Sequence, residues 1–173
     1  MRLSRALRLD TFLPSENLRS GGCIAFVGAG GKTTAIFQLA RELLHLSSFI
    51  PHPSVIVTAT SHLGTWQIPL ADHHLIAESP AGIGELPEGV TLITGPVEGD
   101  RTQPVNSSVL SWLREAAQKE NLPLLIEADG SRGHPLKAPA AHEPPIPDFV
   151  DTVIVVAGLS GLGKPVTDEF VFR

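Results

Sequence analysis

Cys23-Ile-Ala-Phe-Val-Gly-Ala-Gly-Gly-Lys-Thr-Thr34 is an apolar run that breaks into three glycines, a lysine and two threonines. Cys23 to Val27 have the apolar, partly β-branched character of a strand buried on both faces. Gly28, Gly30 and Gly31, with Ala29 among them, tolerate backbone angles that turn successive N–H groups around an anion. Lys32 adds a mobile positive charge. The hydroxyl of Thr33, followed by that of Thr34, is the kind of ligand Mg2+ takes. Beyond the loop, Ile36, Phe37, Leu39, Ala40, Leu43 and Leu44 fall on one helical face, so the loop opens a helix whose N-terminus also favours negative charge. A glycine turn carrying a surface lysine would explain none of this order. The stretch predicts a phosphate-binding loop taking ATP or GTP with Mg2+.

The spacing departs from G-x-x-x-x-G-K-[ST], because Phe26 stands six residues before Lys32. It matches the shorter G-x-x-G-K-T-T, which resembles the loop of Mur-type ligases and of the deviant P-loop ATPases and GTPases that assemble metal centres or insert cofactors. A second stretch, Gly158-Leu-Ser-Gly-Leu-Gly-Lys-Pro165, satisfies the longer pattern and also follows an apolar run. Pro165 stands there in place of the hydroxyl, and eight residues are too few for a crossover helix. It reads as a turn near the site.

The 173 residues fit one domain with a sizeable core, residues 1–173, of which 1–20 are an N-terminal helix and linker. Hydrophobic residues make up 42% and charged residues 18%, which excludes a disordered chain. The net charge of −5 and the lack of a basic stripe interleaved with aromatics argue against nucleic acid as a partner. The apolar runs are strand-length, so no membrane partner is expected, and the single cysteine, Cys23, excludes an internal disulfide. A reducing, cytoplasmic location follows. Leu3, Leu7, Phe12 and Leu13 suit a short amphipathic helix ended by Pro14.

Ser54 to Thr60 reads as the second strand, joined to the first by a right-handed crossover. It ends in Thr58, Thr60, Ser61 and His62 at the carboxyl edge, where ligands sit in open α/β sheets; Thr60 is the stronger candidate and His62 the weaker. His73 to Ala77 and Val90 to Thr94 look like a strand pair or an insertion in the sheet. Adjacent His73 and His74 cannot face one way on a strand, which weighs against a metal site. Asn106 and Ser107 can cap a helix running to about Asn121. Leu122-Pro-Leu-Leu-Ile-Glu-Ala-Asp-Gly130 then places Glu127 and Asp129 on one face of a strand end. A nucleotide-hydrolysing site needs acids there, one for Mg2+ and one for the attacking water. Acids at a strand end can also simply meet solvent.

From Gly130 to Phe149 the chain has five prolines and no periodicity. A connection of this length in a compact domain is commonly functional. Ser131, Arg132, His134, Lys137, His142 and Glu143 include donors suited to phosphate, and Arg132 is placed to act in lieu of an arginine finger. Taken singly, each is equally readable as an ordinary surface charge. Asp151 to Ala157 is the last clear strand.

Three pieces together resemble the YqeC family: Phe-Val-Gly-Ala-Gly-Gly-Lys-Thr-Thr34, Thr58-Ala-Thr-Ser-His62 and Glu127-Ala-Asp-Gly-Ser-Arg-Gly-His-Pro-Leu-Lys-Ala-Pro-Ala-Ala-His-Glu-Pro144. The family is described as accessory proteins of selenium-dependent molybdenum hydroxylases, or selenium-cofactor biosynthesis proteins. The resemblance implies a P-loop NTPase fold and a maturation role, with a molybdenum hydroxylase or its cofactor precursor as partner. Members run on past a segment like Gly163-Lys-Pro-Val166, so the resemblance also implies a fragment or a shortened form. Related cofactor-assembly GTPases carry a strand-end glutamate in the position of Glu127, which makes it first choice for the magnesium shell.

The expected architecture is a three-layer α/β P-loop NTPase-like domain with a mostly parallel sheet. The expected activity is Mg2+-dependent NTP hydrolysis. Gly28, Ala29, Gly30, Gly31, Lys32, Thr33, Thr34 and Thr60 would bind nucleotide, Thr33, Glu127 and Asp129 the metal, and Lys32, Asp129 and Arg132 would serve catalysis. The rival readings are a kinase or ligase passing the γ-phosphate to a cofactor precursor, and a nucleotide-gated chaperone without turnover.

Overall fold

In the computed structural model, residues 2–7, 22–46 and 53–173 are described. The helix continuation through Phe12, Leu13 and Pro14 lies outside them. A six-stranded sheet, parallel throughout, forms the middle layer, in the order β10-β1-β8-β2-β5-β4. Its strands are β1 (Cys23–Gly28), β2 (Ser54–Ala59), β4 (His73–Ile76), β5 (Gly89–Thr94), β8 (Leu124–Glu127) and β10 (Thr152–Val156). The expected pair is thus β4 and β5 at one edge, parallel and continuous with the sheet.

The long apolar runs become the central strands because both their faces are covered. Alternate β1 residues feed two cores: Ile24 and Phe26 pack with Ile36, Leu39, Leu43, Val57 and Leu92. Cys23, Ala25 and Val27 pack with Val109, Leu113, Leu124 and Ile126. The first core belongs to α2 (Lys32–Leu46) and the second to α3 (Ser107–Glu120), so one helix lies on each face and the domain has three layers. Asn106 caps α3, its side chain accepting from Val109 N–H at 3.0 Å, and Asn121 ends it in the left-handed conformation.

The short α1 (Leu3–Ala6) rests on α2. Buried Glu42 of α2 accepts the N–H groups of Leu3 and Ser4, each at 2.7 Å, and satisfies the first donors of α1. The remaining strands are two residues each. β3 (Leu63–Gly64), β6 (Val97–Glu98) and β7 (Arg101–Thr102) form an antiparallel sheet in the order β3-β7-β6. β9 (Leu136–Lys137) pairs with β11 (Val171–Phe172), which brings the last residues back beside the long loop after β8. Both small sheets stand at the carboxyl end of the large one and wall the site. Among the described residues no helix is long and apolar enough to cross a membrane.

Candidate functional site

The loop between β1 and α2 is held from below. Gly28, Gly30 and Gly31 all take positive φ, at 94°, 79° and 119°. A Cβ on Gly30 would come 2.3 Å from Gly158 Cα, so the turn at Leu159–Gly161 packs directly beneath the loop, as expected of a turn near the site. Gly28 N–H donates to Asp129 Oδ2 at 3.0 Å and Ala29 N–H to Val156 O at 2.9 Å. Those two donors face inward. The cradle presented to a ligand therefore begins at Gly30 and continues into the first N–H groups of α2, which have no intrahelical acceptor.

Lys32 opens α2 and folds back under this loop. Its Nζ donates to Gly28 O at 2.7 Å and pairs with Asp129 Oδ1 at 3.1 Å, with Glu127 Oε1 at 3.9 Å. Asp129 is shared, because Lys137 Nζ stands 3.4 Å from its Oδ2 and 3.3 Å from Glu143. Lys137 also donates to Gly130 O at 2.8 Å. Strand parity does bring Glu127 and Asp129 toward the same lysine, and Asp129, only 3% exposed, lies inside the cluster.

Glu127 Oε2 accepts the Thr33 hydroxyl at 2.7 Å. Burial raises its pKa above the ordinary carboxylate value; Asp129 adds to the rise, while the Thr33 hydrogen bond and the charge of Lys32 oppose it. A divalent cation here would favour the ionised form. The oxygens of Thr33, Glu127 and Asp129 are the hard donors that Mg2+ prefers, and Asp129 Oδ1 is buried with the Lys32 ammonium at 3.1 Å as its recorded partner. Among the described residues no group of three or more His, Cys, Asp or Glu is spaced to hold a metal. A Mg2+ at Thr33 would therefore complete its shell with water and phosphate oxygens.

Above the loop opens a cavity of about 660 Å3, lined by Gly30, Gly31, Lys32, Thr33, Thr34 and Glu127 at its floor. One wall is Gly130 to His134 with Glu143 and Phe172; the other carries Ser61, His62, Gly64, Trp66, Gln67 and Arg101. Arg132 takes a positive φ of 46° and holds its guanidinium 5.4 Å from the Phe172 ring centroid. Thr60 is not brought into the cavity: its N–H donates to Glu127 O and its hydroxyl reaches Pro145 O at 3.4 Å. His142 also lies outside the lining, whereas His62 lies in it. Cys23 is a core residue whose thiol burial pushes up to about 12.

Sequence reasoning singled out neither Gln67, Trp66 nor Arg101, and it held Lys137 as one loop donor among several. Gln67 Nε2 donates to Thr33 Oγ1 at 2.8 Å. The available signal was position alone, since Trp66 and Gln67 follow closely on a strand end at the carboxyl edge.

A family model described as YqeC protein matches residues 24–173. The uncharacterized protein YqeC of Escherichia coli (strain K12) is 37% identical over 159 residues, which is 87% of this chain and 57% of that protein. The chain thus spans a little over half the length of that curated relative. No solved structure matches it.

Proposed function

This chain belongs to the YqeC family, and from that premise we propose that it is a Mg2+-dependent nucleotide-binding protein that hydrolyses ATP or GTP. The observation that carries the reading is Lys32, at a helix N-terminus under a glycine loop, paired with two buried carboxylates of which one is bonded to Thr33. Phosphate oxygens entering the cradle from Gly30 to Thr34 would draw the Lys32 amine off Asp129. Thr33 and Glu127 would then hold Mg2+, which when bound would supply positive charge against the phosphate oxygens. Asp129 Oδ1, freed by Lys32, would order the attacking water, while Oδ2 stays fixed by Gly28 N–H and Lys137. Water adds to the γ-phosphorus, the bond to the β-phosphate oxygen breaks, and NDP and inorganic phosphate leave. Arg132 stands at the cavity wall, where its charge would meet that of the transferred group.

The use of this turnover in maturing selenium-dependent molybdenum hydroxylases, by cofactor insertion, rests on the family resemblance. A second reading, transfer of the γ-phosphate to a cofactor precursor, draws on a cavity that extends past the loop on both sides. Calorimetric titration of ATP and GTP, with and without Mg2+, tests the common core of both. Saturable, Mg2+-dependent binding of either nucleotide supports it, and the absence of binding overturns it. Labelled ATP then separates free phosphate from a labelled acceptor.

A further inference from the structure

We infer that Trp66, with Arg101 and His62 beside it, seats a second ligand: a planar ring bearing an anionic group. Trp66 is 66% exposed, yet it is anchored. A Cβ on Gly64 would come 2.3 Å from Trp66 Cζ2 and 2.4 Å from its Cη2, so the benzo ring rests on the Gly64 backbone at a separation only glycine permits. Gly64 is itself held, its N–H donating to Gln67 Oε1 at 3.0 Å and its strand pairing with β7. The indole is therefore supported on one side and open to the cavity on the other, the arrangement of a stacking platform rather than of a loose surface side chain.

Arg101 lies directly across from Gly64 in the antiparallel register. Among the described residues it enters no ion pair, and with His62 it lines the same wall. A ring platform next to a free guanidinium selects a ligand that is both planar and negatively charged. Its place follows from Gln67, whose amide reaches Thr33 Oγ1 at 2.8 Å. On the nucleotide reading above, on which this placement alone rests, Thr33 marks the metal and terminal-phosphate end. The second ligand thus sits beside the group being transferred, where a substrate accepting or sensing it belongs.

Naphthyl phosphate is the probe, titrated by calorimetry into the full chain and its variants. Wild type and Lys32→Ala should bind it saturably, Trp66→Ala and Arg101→Ala roughly tenfold or more weakly, and Trp66→Phe close to wild type. Naphthol, which lacks the charge, and inorganic phosphate, which lacks the ring, should each bind at least about tenfold more weakly than the probe. Binding unchanged in Trp66→Ala, or no binding to wild type, overturns the inference. Binding abolished by Lys32→Ala places the probe's phosphate in the glycine loop and overturns it too. Failure of the nucleotide reading would show separately, as wild-type protein that takes the probe but neither ATP nor GTP.

Discussion

Lys32 Nζ and Asp129 Oδ1 stand 3.1 Å apart with side chains 3% and 2% exposed, so the ammonium at the head of α2 begins paired beneath its own loop. A ligand must replace that pairing, and only an anion of comparable charge does so. Lys32→Ala is therefore expected to lower Mg·NTP affinity by about 10²-fold or more, of the order lost with one strong charged contact. The domain should stay folded, because Lys137 remains beside Asp129. Its loss of stability should fall short of the ~3–5 kcal/mol of a fully orphaned buried charge. Calorimetry and urea unfolding on the same preparation check both parts.

Glu127 and Asp129 share a strand face but not their partners. Glu127 is bonded to Thr33, whereas Asp129 is fixed to the loop through Gly28 N–H. Glu127→Gln should weaken the dependence of nucleotide binding on Mg2+. Asp129→Asn keeps an oxygen for Gly28, so binding should stay near normal while turnover slows by ~10²-fold or more. Normal Mg2+ dependence in the first variant and normal turnover in the second would leave these acids a structural role only.

Lys137 is as deeply buried as Lys32, at 1% side-chain exposure, and it serves both Asp129 and Glu143. Lys137→Met keeps the stem and removes the charge. We expect a loss of about 2–4 kcal/mol in urea unfolding, since Asp129 would keep only Lys32. Adding Asp129→Asn should recover part of that loss; additivity of the two changes would show that the pair does not interact.

The six strands of the large sheet and the two long helices were legible because each is a run of a single periodicity bounded by glycine, proline or a capping residue. Glu127 and Asp129 could be assigned to one face because alternation survives to the end of a strand. What the sequence did not show is what depends on distant contacts. β3, β6, β7, β9 and β11 are two residues long, too short to carry a pattern, yet they place Trp66, Arg101 and Phe172 around the cavity. The fold-back of Lys32 is likewise a property of Asp129, 97 positions away in the chain, and no local spacing encodes it. The direction of the Thr60 hydroxyl depends on a distant contact in the same way, since at the carboxyl edge of the sheet it turns toward Pro145 O, 85 positions on in the chain.

Glu42 couples α1 to pH. Burial alone would raise its pKa, but hydrogen bonds from Gln38, Ser4 and Leu3 outweigh that and hold it at about 2. A carboxylate lowered on folding stabilises fully above its unfolded value of about 4.5, and that contribution is lost as pH falls toward 2. The difference in unfolding free energy between wild type and Glu42→Gln should be flat above about pH 5 and shrink steadily below it. Urea unfolding across that range reads it, and a constant difference down to pH 3 would show that Glu42 does not cap α1 as an anion.

Gly30 and Gly31 both have positive φ, but their surroundings differ, and the difference separates strain from collision. A Cβ on Gly30 would meet Gly158 Cα at 2.3 Å and Pro135 O at 2.7 Å, all of it backbone that cannot rotate away. A Cβ on Gly31 would meet nothing within 4 Å. Gly31→Ala should therefore cost only the backbone strain, about 1–2 kcal/mol. Gly30→Ala adds displacement of the Gly158 turn, whose N–H is bonded to Pro135 O at 2.7 Å, and should cost clearly more. On nucleotide binding the order should persist, because lifting the loop off Gly158 moves the whole cradle, whereas a methyl on Gly31 intrudes only on the side open to the ligand. Thermal unfolding and Mg·NTP titration of the two variants give both rankings, and equal stability losses would mean that Gly158 does not support the loop.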